Sequence, residues 1–218
     1  MTEPAARPVT GRPWGATAPE GADTAIGLAT RIGACCWAEQ QVFALLGGWV
    51  QEVPEPDVKL ALAEHADHAA WRAQRWHELL PTAPPGPDAL VQAPAGVAVA
   101  LAAAGEAGAG AERTVEKLAV AHRVLLAGLA ASLRAHLDWS PAVSEPAVGR
   151  VLAIALDDVL TDWSSGERLL QALVAGPQGG EALVRARAAQ AAVEAPLAAA
   201  GGLLGPGSTG ARATGGPS

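Results

Sequence analysis

Three features of this sequence predict an all-α protein built as an antiparallel four-helix bundle. Half of the chain is hydrophobic, with a single Phe and no Tyr, so its apolar content is mostly Ala, Leu and Val, which favours helix over strand. Apolar residues recur at spacings of three and four along four long segments. The connections between those segments run short, long, short. That order makes two hairpins joined by one long crossover between the second and third helices.

The first helix spans Thr24 to about Gln51 on the stripe Ile32, Cys35, Cys36, Val42, Phe43, Leu46, Trp49 and Val50, and Pro54 and Pro56 end it. The second spans Pro56 to Leu80, with Val58, Leu62, Ala69, Trp76 and Leu80 facing inward and Pro81 stopping it. Proline is tolerated in a first turn. About five residues connect the two, which makes them antiparallel neighbours. Thr82 to Gly110 holds Pro84, Pro85, Pro87 and Pro94 and one short helix near Ala95 to Ala104, and reads as the crossover. The third helix spans Ala111 to Leu137 on Val115, Leu118, Leu125, Leu129 and Leu133, and Trp139 to Ser144 is the tight link that follows. The fourth spans Glu145 to Val174 on Val148, Val151, Leu152, Ala155, Val159, Leu169 and Leu173. Glu181 to Leu197, with Leu183, Val184, Val193 and Leu197, is expected to dock outside as a short C-terminal fifth helix limited by Pro196. Residues 1–23 and 201–218 carry no periodic apolar pattern, which predicts a disordered arm and tail around a bundle over residues 24–200.

A net charge of −7 with only 15 Lys plus Arg leaves no basic stripe for a phosphate backbone, so nucleic acid is not expected as a partner. Mean hydropathy is +0.20, yet no stretch reaches the ~18 uninterrupted apolar residues of a spanning helix, and no membrane is expected. Met1 to Asp23 lacks a basic flank followed by an apolar run, so it does not read as an export signal and the expected location is cytoplasmic. Cys35 and Cys36, the only cysteines, are adjacent and form neither a disulfide framework nor a CxxC pair; two buried small side chains is the reading. There is no GxxxxGK, HExxH or GxSxG, and Gly205, Gly207 and Gly210 match GxGxxG only within the tail, so no nucleotide cofactor is expected. His77-Glu78 begins a zinc pattern, but Pro81 takes the place of its second His.

The chemistry lies in ionisable residues set on the apolar stripes. At 100° per residue, Glu39 falls within roughly 20° of Ile32 and Leu46. His122 stands likewise between Val115 and Leu129, and Asp162 between Ala155 and Leu169, with Asp158 one turn earlier nearer the edge. The second helix contributes Glu64, His65, His68 and Arg72 within an arc of roughly 100°. All fall near the middles of their helices, so an antiparallel bundle gathers them in one layer. An unpaired buried ion costs several kcal/mol, so the layer must be paired, protonated or metal-bound. Glu39, Glu64, Asp158 and Asp162 with two imidazoles suit divalent iron or manganese, as one or two ions.

At these residues the chain resembles the ferritin-like superfamily, which includes ferritins, rubrerythrin-type proteins, manganese catalases and the small subunit of ribonucleotide reductase. The resemblance covers Thr24 to Val174. It implies that each hairpin supplies a Glu from one helix and a Glu-x-x-His from the next, around a di-iron or di-manganese centre. Glu39 matches the first-helix Glu, and Glu64 with His68 approximates the second-helix pair at a spacing of four; His65 is the substitute for His68 as a ligand. His122 stands where the third-helix Glu is expected, and Asp158-x-x-x-Asp162 where Glu-x-x-His is expected, so the di-iron motif is incomplete. The resemblance implies an oxidoreductase or metal-handling protein acting with dioxygen or peroxide, on a small-molecule substrate if it is an enzyme, and a homo-oligomer is compatible with it.

A different reading is open from the same residues. Arg72 near the layer can pair with Glu39 or Asp162 and balance the charge without metal. The chain is then a metal-free degenerate bundle serving as a binding or assembly module, with outer Leu60 and Trp71 as its partner surface. Converging oxygens of Glu39 and Asp162 with no guanidinium between favour metal; Arg72 inserted between them favours pairing. Trp71, Trp76 and Trp163 read as gap fillers, His77 and His136 as structural or exposed, and Gly166 as relief for close packing.

Overall fold

The computed structural model describes residues 24–110, 113–140, 145–176 and 179–206. The arm expected over residues 1–23, the link at 141–144 and the tail beyond residue 206 lie outside them. Among the described residues all regular structure is helical: α1 (Ala25–Val50), α2 (Pro56–Glu78), α3 (Pro87–Leu90), α4 (Val97–Ala107), α5 (Thr114–Trp139), α6 (Pro146–Val174) and α7 (Gly179–Ala199). The all-α expectation stands.

Local chemistry sets the ends of these helices. The Thr24 hydroxyl accepts from the Gly27 N–H at 2.9 Å and caps α1, supplying one of the partners that a first turn lacks. Proline opens α2 and α6, where its missing N–H costs nothing and its fixed φ suits the helix. α1 lies along α2, and α5 lies along α6. The pairs Glu39–Arg72 between α1 and α2, and His65–Ser165, His68–Asp162 and Arg72–Asp158 between α2 and α6, show α2 running against α6. α1 also touches the middle of α5.

α5 is one helix with an irregular centre: regular turns at Thr114–Leu118 and Ala127–Trp139 flank a wide π segment at Ala119–Leu126. Within that segment every residue but Arg123 is buried, as expected of a helix that is apolar all round and enclosed by neighbours. By length and composition α5 would also suit a membrane span; here α1, α6 and α7 pack against it.

α7 docks by one face, as expected of an added outer helix, on α4 and the first half of α5, burying Ala182, Ala186, Ala189, Val193 and Leu197 and leaving its other side exposed. Three expectations need correction. α7 continues through Pro196 to Ala199, with the Ala200 N–H reaching the Pro196 carbonyl at 3.0 Å, because a proline in a last turn forfeits little of the ladder. The expected tail starts later than Gly201, since Leu203 and Leu204 are buried in the core. Phe43, placed on the inner stripe, is 47% exposed; it lies on the α1/α2 seam beside Ala70 and Ala73, which are too small to cover a ring.

Candidate metal centre

Midway along the helices the interior carries charge. Arg72, fully buried on α2, donates from Nε to Glu39 Oε1 at 2.8 Å and from Nη1 to Asp158 Oδ2 at 2.6 Å and Asp162 Oδ2 at 3.0 Å. His68 completes the layer, its Nδ1 lying 2.8 Å from Asp162 Oδ1 and 3.9 Å from Asp158 Oδ1. Each aspartate therefore turns one oxygen to the guanidinium and the other toward the imidazole. Two polar atoms of this layer, Glu39 Oε2 and Arg72 Nη2, are buried with no partner.

The electrostatics follow the same geometry. Burial pushes the Glu39 carboxyl up, against the charge and hydrogen bond of Arg72. Burial likewise raises Asp162, opposed by His68 and Arg72. For His68 burial works to lower the pKa, but the hydrogen bond and charge of Asp162, with Asp158 and Glu64 behind, carry it above its ordinary value. Burial also works against the Arg72 cation, but the charge and hydrogen bond of Glu39 and the two aspartates hold its pKa above the usual value. With all three carboxylates ionised and Arg72 charged, the layer carries two negative charges before His68 is counted.

One turn further along α2 a second, uncharged polar layer begins. The His122 Nδ1 donates to the Leu118 carbonyl at 3.0 Å, which leaves Nε2 as an acceptor for the His65 Nδ1–H at 3.1 Å. His65 Nε2 then accepts from the Ser165 hydroxyl at 2.8 Å. Ser165 Oγ also lies 3.0 Å from the Asp162 carbonyl, so its one proton chooses between a ring and a carbonyl. Both imidazoles are neutral: burial, with help from His122, His68 and Arg72, takes His65 down to about 3. Burial takes His122 down to about 4. Gly166 makes the layer possible, because a Cβ there would stand 2.0 Å from the His122 ring. His122 itself sits inside the π segment of α5, a type of irregularity that is frequent at functional sites.

Of the residues expected to share one site, Glu39, His68, Asp158 and Asp162 meet around Arg72, while His65 and His122 meet each other. Glu64 does not take part: it is exposed, lying about 80° round α2 from Arg72 on the outer side of His68, where water solvates its charge. On α6 the expected spacing of four holds, with Asp158 and Asp162 converging on Arg72 and His68, while on α2 it gives way to three. His65-x-x-His68 on α2 faces Asp162-x-x-Ser165 on α6. Ser165 escapes a search for metal ligands because a neutral hydroxyl is a poor one; its signal is that spacing. Cys35 and Cys36 are buried and free as expected.

His68 Nδ1 and one oxygen from each of Asp158 and Asp162 lie within 4.8 Å of one another, a set that could hold a metal ion. Glu39 and Asp162 are instead bridged by a guanidinium. No family model, curated protein or solved structure matches this chain.

Proposed function

We propose that the chain is a ferritin-like four-helix bundle and a metal-handling protein, in which His68, Asp158 and Asp162 take a single divalent iron or manganese ion and Arg72 stands in place of a second. The observation that carries this reading is the convergence of those three ligand groups beside a guanidinium that already holds their outer oxygens. A two-ion centre does not fit these residues: Glu64 is exposed, Glu39 is committed to Arg72, and the fixed cation repels a second metal. Charge agrees with one ion. Three carboxylates and one guanidinium leave two negative charges, which one divalent cation neutralises and two would overshoot.

Within this site Arg72 is a positioning residue. It fixes Asp158 and Asp162 so that their remaining oxygens face His68, as partners behind a metal's ligands commonly do. His68, its side chain 34% exposed, gives the layer its route to solvent, and on taking a metal it releases the proton it shares with Asp162. A bound iron or manganese would supply one-electron chemistry with dioxygen or peroxide. The neutral His65–His122 layer and the aliphatic walls keep bulk water from the buried side.

The test is titration of metal-stripped protein with manganese(II), read as ions bound per chain after dialysis. About one per chain is expected, lost in a His68→Ala, Asp162→Asn double variant and retained in His122→Leu. About two per chain would overturn the role given to Arg72. No binding would favour the second reading, which rests on Arg72 satisfying three carboxylates by itself: a metal-free bundle acting as a binding or assembly module, with Leu60 (70% exposed) and Trp71 (44% exposed) on its outer face.

A further inference from the structure

A cavity of about 610 Å³ lies where the first half of α1, the chain between α3 and α4, and the turn after α7 come together. None of its lining residues belongs to the metal centre. Close backbone contacts build it. At Gly33 a Cβ would stand 1.9 Å from the Leu90 carbonyl oxygen, so glycine lets the crossover press directly on α1. Beyond α7, Gly205 at φ +83° turns the chain so that Leu204 packs inward and Pro206 reaches the rim. Ala34, Leu90, Ala93 and Leu204 give it apolar walls, and Thr30, Arg31 and Gln92 are the polar side chains on its lining. Its size lies within the range of sites that take small organic molecules.

Arg31 sets the chemistry. Its guanidinium lies 4.4 Å from the centre of the Trp139 ring, which is stacked in turn on His136 at 4.5 Å. That stack holds the cation in place. Among the described residues no carboxylate lies within ion-pair distance of it, unlike Arg72 and Arg123, and its Nε is buried with no partner. Burial lowers its pKa, which reports the cost of keeping a cation there. The charge of Glu145 reaches Arg31 only from beyond ion-pair distance, and a half-buried guanidinium with an unpartnered Nε is stabilised most by a carboxylate whose two oxygens match its fork.

We infer that this cavity binds a small molecule with an apolar body and a carboxylate, anchored on Arg31. The carboxylate takes the open donors of the guanidinium and the body fills the space between α1 and the crossover. The site shares no residue with the metal layer, so either can stand if the other falls.

Calorimetric titration of the full chain with octanoate, and in parallel with octanol, tests the assignment. Octanoate is expected to give saturable one-to-one binding, with octanol weaker by about tenfold or more. Arg31→Met keeps the stem and removes the charge; it should weaken octanoate by about tenfold and leave octanol unchanged. Ala34→Leu fills the cavity with Arg31 intact and should weaken both ligands, which keeps the test readable if Arg31→Met fails to fold. His68→Ala should change neither. Absence of saturable octanoate binding, equal affinity for octanoate and octanol, or octanoate binding indifferent to Ala34→Leu would each overturn the inference.

Discussion

Without its guanidinium, Arg72 would leave Glu39, Asp158 and Asp162 facing one another with only His68 to offset them. Removing one partner from a buried ionic network strands the others, at about 3–5 kcal/mol, so Arg72→Met should lower the unfolding free energy by that order in urea titrations. Adding Glu39→Gln should return part of the loss, because Glu39 is the most deeply buried of the stranded charges; strict additivity of the two substitutions would refute the coupling. Gly166 tests the neutral layer in the same way. A methyl group there must displace the His122 ring, and overpacking of this kind costs about 1–3 kcal/mol. Gly166→Ala should therefore destabilise the fold, and pairing it with His122→Ala should restore most of what was lost.

Among the elements, the four long helices and their order were legible because long Ala/Leu segments with proline at their ends leave little choice of structure, whereas the short α3 within the crossover was not. Glu39, Asp162 and His122 could be placed inward from phase alone, since each sits between aliphatic residues seven positions away. Phase fails at the edges of a stripe. Glu64 and His68 lie on the same edge of α2, but His68 finds Asp162 across the α2/α6 seam whereas Glu64 has water. Phe43 is exposed for a related reason: burial depends on the size of what the neighbouring helix offers. The π segment of α5 had no local signature, as its residues are ordinary helix formers and its wide turn comes from tertiary packing. The place of α7 against α4 and α5 was hidden by its alanines, which bury a face without any strong periodic signal. Gly33 carries a further consequence for the crossover. Gly33→Ala must push the Leu90 carbonyl away from α1, which should leave the helices intact by circular dichroism but speed proteolytic cleavage between α2 and α4. Unchanged cleavage would show that the crossover is held elsewhere.

For the molecule as a whole, three buried neutral histidines tie stability to pH. Burial holds His65 and His136 down to about 3, helped at His136 by the charge of Arg31, and holds His122 down to about 4. An unfolded histidine titrates near 6.5. Above that pH neither state binds the proton, and these groups do not alter stability. Below it the unfolded chain takes up protons that the folded chain refuses until pH 3–4, so stability falls as the solution is acidified through that window. Each group costs on the order of 2 kcal/mol at pH 5, and three together rival a typical total of about 5–15 kcal/mol. His68 acts in the opposite sense: its raised pKa contributes stability that is full below 6.5 and is lost as pH rises through the folded value. Glu39 and Asp162, also raised, favour the folded state on protonation and blunt the decline toward the acid end. The histidine part of the decline should be well developed between about pH 6 and 5, above the range in which the folded histidines take up protons. His136 isolates one contribution, because both its ring nitrogens are buried without a partner and it stacks on Trp139. In His136→Phe the stack persists and one titrating group is gone, so the slope of unfolding free energy over that interval should drop by about 1.4 kcal/mol per pH unit. An unaltered slope would mean that His136 titrates normally in the folded protein, and that its end of the molecule is open to water.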